Sequence, residues 1–240
     1  MITISHIFPI ESPYCQFSGK SESPVNSLIT KFTEYCVLKC PNSVTVRNLL
    51  FQCAVSHATK ESDVTYICRQ PLDTLPLGVH GMPRPEADVL KSVKFLYLKT
   101  VDEVVEFCAS IHNKVVGPDL IVVDDIDGYI EQFKGPCPEH QAAKLCSLLC
   151  DAVHFINTKH GGSCCLLLSC MDSSNHLSSV FKSSGIQIFN IKEIYCGDYR
   201  LSFVQGSNSI GVEFCIQKDA VYLREFNATE KLKQGNSTGK

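Results

Sequence analysis

Several things this sequence lacks limit what it can be. It has no excess of positive charge: the net charge is −3 and the pI about 6.2. Nucleic-acid binding would therefore need a local basic patch or a partner that carries the charge. No stretch reaches the roughly 20 consecutive apolar residues that span a bilayer. The opening MITISHIFPIESPYC carries neither a basic n-region nor a long apolar h-region, so no secretory signal is expected. There is no G-x-S-x-G, and no Cys or His stands in a recognisable nucleophile setting, which sets aside a Ser or Cys hydrolase. C-x-x-C pairs are missing, and with them a common spacing of zinc ligands. No internal repeat is visible.

Cysteine itself is plentiful, at 14. The expectation is a reducing compartment, with most thiols serving as small core residues. A hydrophobic content of 44% with 20% charged residues is ordinary for a globular chain. The 240 residues suffice for one large α/β domain or two small ones. Residues 1–31 contain Ser12, Pro13, Ser21, Ser23 and Pro24 without a sustained period, and read as a flexible leader. Residues 227–240 read as a disordered polar tail, leaving 32–226 as the folded domain.

The stretch from Asp119 to Tyr129, DLIVVDDIDGY, organises the reading. Leu120 to Val123 form an unbroken, mostly β-branched run, the mark of a strand buried on both faces of a parallel sheet. Asp124 and Asp125 stand at its C-terminal end, where open α/β sheets bind ligands. Four apolar residues followed by Asp is also the Walker B pattern, whose carboxylate handles the magnesium of a bound nucleotide; a core strand ending in a solvated acidic turn fits the same residues. Tyr35–Leu38, Val64–Cys68, Val93–Leu98 and Cys165–Cys170 are further strands. Helices follow near Val44, with Leu49, Leu50, Cys53, Ala54 and His57 on one face, at Thr100 with Glu103 at capping-box spacing, and from Glu139 to about Lys159, closed by Gly161 and Gly162. Met171 to Gly185 reads as a polar loop. Gln187–Ile191, Tyr199–Gln205 and Val212–Gln217 then alternate as strands, with Val221–Arg224 a further candidate. Strand–helix alternation followed by a run of strands implies an α/β fold, mainly parallel and extended by C-terminal antiparallel strands.

The ordered set Arg69-Gln70-Pro71-Leu72, Leu75-Pro76, Asp124 with Tyr129, and Gln141-Ala142-Ala143 through His154-Phe155 resembles the RecA-type recombination ATPases. More closely, it is similar to the SWIM-domain-associated subunit of the animal Shu complex, a divergent recombinase paralogue. The resemblance covers roughly residues 35–225 and implies a RecA-like P-loop NTPase core. It also implies a nuclear role in homologous recombination and double-strand break repair, a heterodimer with a SWIM-type zinc-finger protein, support of a eukaryotic RecA-like recombinase, and single-stranded DNA bound through the complex. ATP with magnesium would be the cofactor.

A P-loop requires G-x-x-x-x-G-K-[ST], with glycines so that amides cradle phosphates, lysine for charge and a hydroxyl for magnesium. The corresponding positions here are Cys40, Thr45, Val46 and Arg47. Both glycines, the lysine and the hydroxyl are replaced, and Gln70 stands where the resemblance places a water-orienting glutamate. Asp124 survives as the Walker B acid. The expectation is little or no ATP binding and hydrolysis; the alternative is an active DNA-dependent ATPase with an unconventional phosphate loop. Lys134, His176 and Lys182 are the DNA-binding candidates in the regions where RecA-type proteins meet DNA, though two lysines are a thin footprint. Cys146, Cys150 and His154 share a helix face at i, i+4, i+8, readable as a zinc site with Cys137 and His140, or more readily as core packing; no metal is assigned. Phe51 and Ala54 form an F-x-x-A, which as recombinase contact or as helix core gives the same letters, with core the preferred reading.

Overall fold

The computed structural model describes residues 2–10, 33–113, 115–135, 137–171, 173, 177–205 and 208–230. Nine strands among them form one sheet: β1 (Tyr35–Cys40), β2 (Val64–Cys68), β3 (Val93–Tyr97), β4 (Leu120–Val123), β5 (Cys165–Met171), β6 (Gln187–Tyr195), β7 (Asp198–Gln205), β8 (Asn208–Ile216) and β9 (Val221–Glu230). Their order is β3-β2-β4-β5-β1-β6-β7-β8-β9. The pairs from β3 through to β6 are parallel, and β6 to β9 run as an antiparallel meander. The expected mainly parallel sheet with antiparallel C-terminal strands is thus what the chain forms.

The helices are α1 (Ser43–Ala58), α2 (Ala87–Leu90), α3 (Val101–Ser110), α4 (Ile126–Ile130), α5 (Pro138–His160) and α6 (Leu177–Ser183). Successive strand residues point to opposite faces, and β4 shows why its run is apolar throughout. Leu120 and Val122 enter the core beneath α1, while Ile121 and Val123 enter the core beneath α3 and α5. Thr100 and Glu103 make the expected capping box on α3, and Gly161, at φ 62°, ends α5 in the left-handed conformation that favours glycine. Among the described residues no helix is long and apolar enough to cross a membrane.

Four expectations need correction. Residues 2–10 are not a free leader: Ile2, Ile4, Ile7, Phe8 and Ile10 are buried against the α1 face, and Ile2 bridges Thr33. These apolar residues have no strand or helix period of their own, so composition alone passes over them; residues 11–32 lie outside the described residues. Residues 227–230 are not tail but the end of β9, paired to β8 through backbone hydrogen bonds that do not depend on apolar side chains; residues 231–240 lie outside the described residues. Within the polar stretch after β5, Leu177, Val180 and Phe181 fold α6 onto the core. Helix α1 is not one-faced: it is buried nearly all round, because residues 2–10 and the loop after β2 cover its outer side.

That cover includes a basic cluster without an acid among the groups that set its charge. The His6 and His57 rings lie 4.3 Å apart, and Lys60 Nζ lies 3.1 Å from His6 Nε2. Burial foremost, then Lys60, lowers the His6 pKa to about 4; burial, then His6 and Lys60, lowers His57 to about 3. Native His6 and His57 stay neutral while the unfolded chain takes up protons below about pH 6.5. The stability they contribute is complete above pH 6.5 and is lost progressively as pH falls toward 4, on the order of 1 kcal/mol per pH unit. Urea unfolding between pH 7 and 4.5 is expected to show this slope, and His57→Asn to make it shallower; a flat profile would refute the buried neutral pair.

Candidate functional site

The first turns of α1 and the C-terminal ends of β2 and β4 border a cleft of 920 Å³. Its floor is set by one buried acid. Asp124, next after β4, is only 2% exposed, and Arg47 from α1 donates through Nε to its Oδ2 at 2.6 Å. Ser169 on β5 donates to Oδ1 at 3.0 Å. The same Ser169 oxygen accepts from the amide of Asp125 at 2.8 Å. Asp125 adopts φ 66°, ψ 62°, a left-handed geometry that Asp tolerates better than most side chains. That turn starts α4 and aims its carboxylate at Arg69, with which it pairs. Gly128 leaves room for this pair, since a Cβ would lie 2.5–2.6 Å from the Arg69 guanidinium and from Asp125 Oδ2 and would push the two side chains aside. Deeper in, Asp127 accepts from the Met171 amide at 2.9 Å, and burial foremost raises its pKa. Tyr129 donates to the Leu98 carbonyl at 2.6 Å.

The expected phosphate loop takes another form. Only Pro41 and Asn42 separate β1 from α1. Thr45, Val46 and Arg47 are therefore helical, with Thr45 and Val46 buried, as is Cys40 at the strand end. Asn42 caps the helix, its Oδ1 accepting from the amides of Val44 at 2.9 Å and Thr45 at 3.2 Å. The free amides of a helix start are what make it an anion site; here two of them are satisfied within the chain.

The far wall of the cleft is the loop after β2. Two buried polar residues of α1 order it: Asn48 Oδ1 accepts from the Leu77 amide at 3.0 Å, and Gln52 Oε1 from the Val79 amide at 2.8 Å. Gln52 Nε2 donates back to the Pro83 carbonyl at 3.1 Å. Gln70 and Lys99 line the mouth.

Sequence reasoning placed Asp124 and Arg47 here but not their pairing, which joins positions 77 apart. It missed Asn42, although Asn three residues before Thr45 is a recognisable cap signal. Ser169 carried no signal at all; only the register of β4 on β5 delivers it. Lys134, in the turn after α4, and Lys182, on the last turn of α6, are exposed and do not line this cleft; His176 lies outside the described residues. Cys146 is a core thiol, its pKa raised to about 12 by burial above all, while His154 on the same helix is exposed. Among the described residues no three His, Cys, Asp or Glu side chains are grouped to hold a metal ion. Phe51 and Ala54 are both buried, Phe51 stacking on Phe95 at 6.5 Å.

No family model matches this chain, and no curated protein matches it in sequence. Solved structures do match. The RadB recombinase superimposes with a TM-score of 0.56 at 13% identity, over 85% of this chain and 97% of that one. The flagellar accessory protein FlaH from Methanocaldococcus jannaschii gives 0.52 at 11% identity, over 86% and 97%. A KaiC-like protein from Pyrococcus horikoshii gives 0.52 at 8% identity, over 80% and 89%. The fold is RecA-like. At such identities the likeness concerns the fold alone, and the RecA-like site must be judged on its own residues. They do not fit a magnesium nucleotide. The helix start is capped from within, Val46 stands where a phosphate loop has its lysine, and the acid that would serve magnesium is engaged by Arg47.

Removing Arg47 leaves a nearly inaccessible carboxylate without its cation. Arg47→Ala is expected to destabilise the chain by about 2–4 kcal/mol, below the upper range for fully buried pairs because Arg47 is 37% exposed. Asp124→Asn, which removes the charge with little change of shape, is expected to cost less. Equal denaturation midpoints for wild type and Arg47→Ala would show that the pair does not hold the site.

Proposed function

We propose that this chain is a non-hydrolysing RecA-fold subunit that supports homologous recombination through its surfaces. The observation that carries this is the Arg47–Asp124 pair beside an Asn42-capped helix, which closes the nucleotide position with the protein's own groups. The recombination setting draws on the likeness of fold to the RadB recombinase and on the resemblance of the ordered residues to the Shu-complex subunit. On this reading the partner is a SWIM-type zinc-finger protein in a nuclear heterodimer. The assembly supports a RecA-like recombinase on single-stranded DNA, with Lys134 and Lys182 as exposed DNA contacts and DNA held mainly through the complex. The net charge of −3 suits a subunit that leaves most phosphate contacts to its partner.

Calorimetric titration with Mg-ATP, together with a turnover assay with and without single-stranded DNA, tests the reading. No saturable binding below millimolar concentration and no turnover above background are expected for wild type and Asp124→Asn alike. Micromolar binding, or turnover abolished by Asp124→Asn, would instead establish an ATPase with an unconventional phosphate loop. Co-purification of the tagged full-length chain tests the partner, and a preparation free of any SWIM-domain protein would remove that part.

A further inference from the structure

We infer that the cleft between α1, the end of β2 and residues 71–77 receives an acidic side chain, Asp or Glu, carried on an extended segment of a partner protein. This rests on the reading that nucleotide does not occupy the site. Arg47 and Arg69 each commit one nitrogen to a carboxylate and remain 37% and 41% exposed toward the cleft. A guanidinium carries five N–H donors in a planar fork suited to a carboxylate. The acids they cover lie beneath them, Asp124 almost inaccessible, so donors face outward. Lys99 adds a third cation and the exposed Asp73 of the far wall a third carboxylate, so the lining charges balance and the preference for an anion rests on the outward guanidinium donors; the nearby Glu103 carboxylate accepts from the Thr100 amide at 2.8 Å.

The rest of the lining selects among anions. Val44 and Leu75, both lining residues, are 62% and 55% exposed. A small carboxylate would leave them in water, whereas a peptide with aliphatic neighbours beside its acid would cover them and gain from the buried area. No aromatic residue lines the cleft, so the stacking platform that holds single-stranded bases is missing. The volume of 920 Å³ is at the upper end for small-ligand sites and admits several residues. Asn48 and Gln52 hold the 71–77 wall in place beforehand, which reduces the ordering cost of binding.

The test uses the full-length chain and two fluorescein-labelled blocked pentapeptides, Ala-Leu-Glu-Leu-Ala and its Gln counterpart, by anisotropy at low salt. The Glu peptide is expected to bind at least tenfold tighter than the Gln peptide. Arg69→Gln is expected to erase that difference, and Leu75→Ser to weaken both peptides several-fold. Melting temperature is followed for each variant, and Leu75, in an exposed loop, keeps the test valid if Arg69→Gln disturbs folding. Equal affinities, no binding at millimolar peptide, or displacement by an oligothymidylate would overturn the inference while leaving the proposed function standing. Displacement of the peptide by micromolar Mg-ATP would overturn that function as well.

Discussion

A carboxylate buried at the end of a strand is the constraint on which this molecule turns. The apolar run of β4 carries Asp124 into a position with 2% of its surface exposed. Placing an ion there costs several kcal/mol unless a cation and hydrogen bonds compensate. Arg47 and Ser169 supply both. Arg47 can reach because α1, starting at Ser43 two residues after β1, carries it across to the end of β4. Ser169 can reach only because β5 lies beside β4 with Val123 opposite Leu168. The same serine then fixes the Asp125 amide, and the left-handed turn at Asp125 sends its carboxylate to Arg69. One buried charge thus ties four elements to a common geometry.

The start of α1 follows from the same economy of polar groups. A helix leaves its first amides without intrahelical partners. RecA-like enzymes use such amides on phosphate; this chain uses Asn42 on Val44 and Thr45. With the cap in place the connection from β1 shortens to two residues, and no glycine is needed where no anion must be approached. Further along α1, Asn48 and Gln52 face a loop rather than water, and their amides take up backbone groups of residues 77–83 that would otherwise be buried without partners. A helix that is buried on every side can carry such residues only because each has a defined backbone partner.

Much of this fold was legible because its strands announce themselves. Leu120–Val123 and Cys165–Cys170 are continuous apolar runs, which only a sheet covered on both faces accommodates, and Thr100 with Glu103 marks a helix start by local chemistry. Residues 2–10 were not legible, because their isoleucines show no period and gain meaning only once α1 offers a surface. The end of β9 was not legible because backbone pairing to β8 does not depend on apolar letters. The site was half visible. Asp124 could be found from its strand, and the loss of the phosphate loop from Cys40, Thr45, Val46 and Arg47. That Arg47 takes over the acid could not be found, since a contact across 77 positions is a product of topology. Counting along the motif also presumed a loop of standard length, whereas Thr45, Val46 and Arg47 lie inside a helix.

An acid paired with an arginine differs from an acid that holds a metal-bound nucleotide in how it stabilises a fold. An acid that awaits a divalent cation makes part of the stability depend on ligand concentration. An acid paired within the chain makes that contribution constant, and adds it before any partner arrives. The pair also reverses what the cleft shows to the outside. Without Arg47 and Arg69 its floor would present Asp124 and Asp125; with them the outward groups are guanidinium nitrogens beside the apolar side chains of Val44 and Leu75. Guanidinium is weakly hydrated for a cation and engages carboxylates in a fixed plane, so it loses less on meeting a protein surface than an ammonium or a hydrated metal would. A RecA-like frame whose strand-end acids are paired in this way keeps a cleft of 920 Å³ and sets guanidinium donors and aliphatic side chains in its lining.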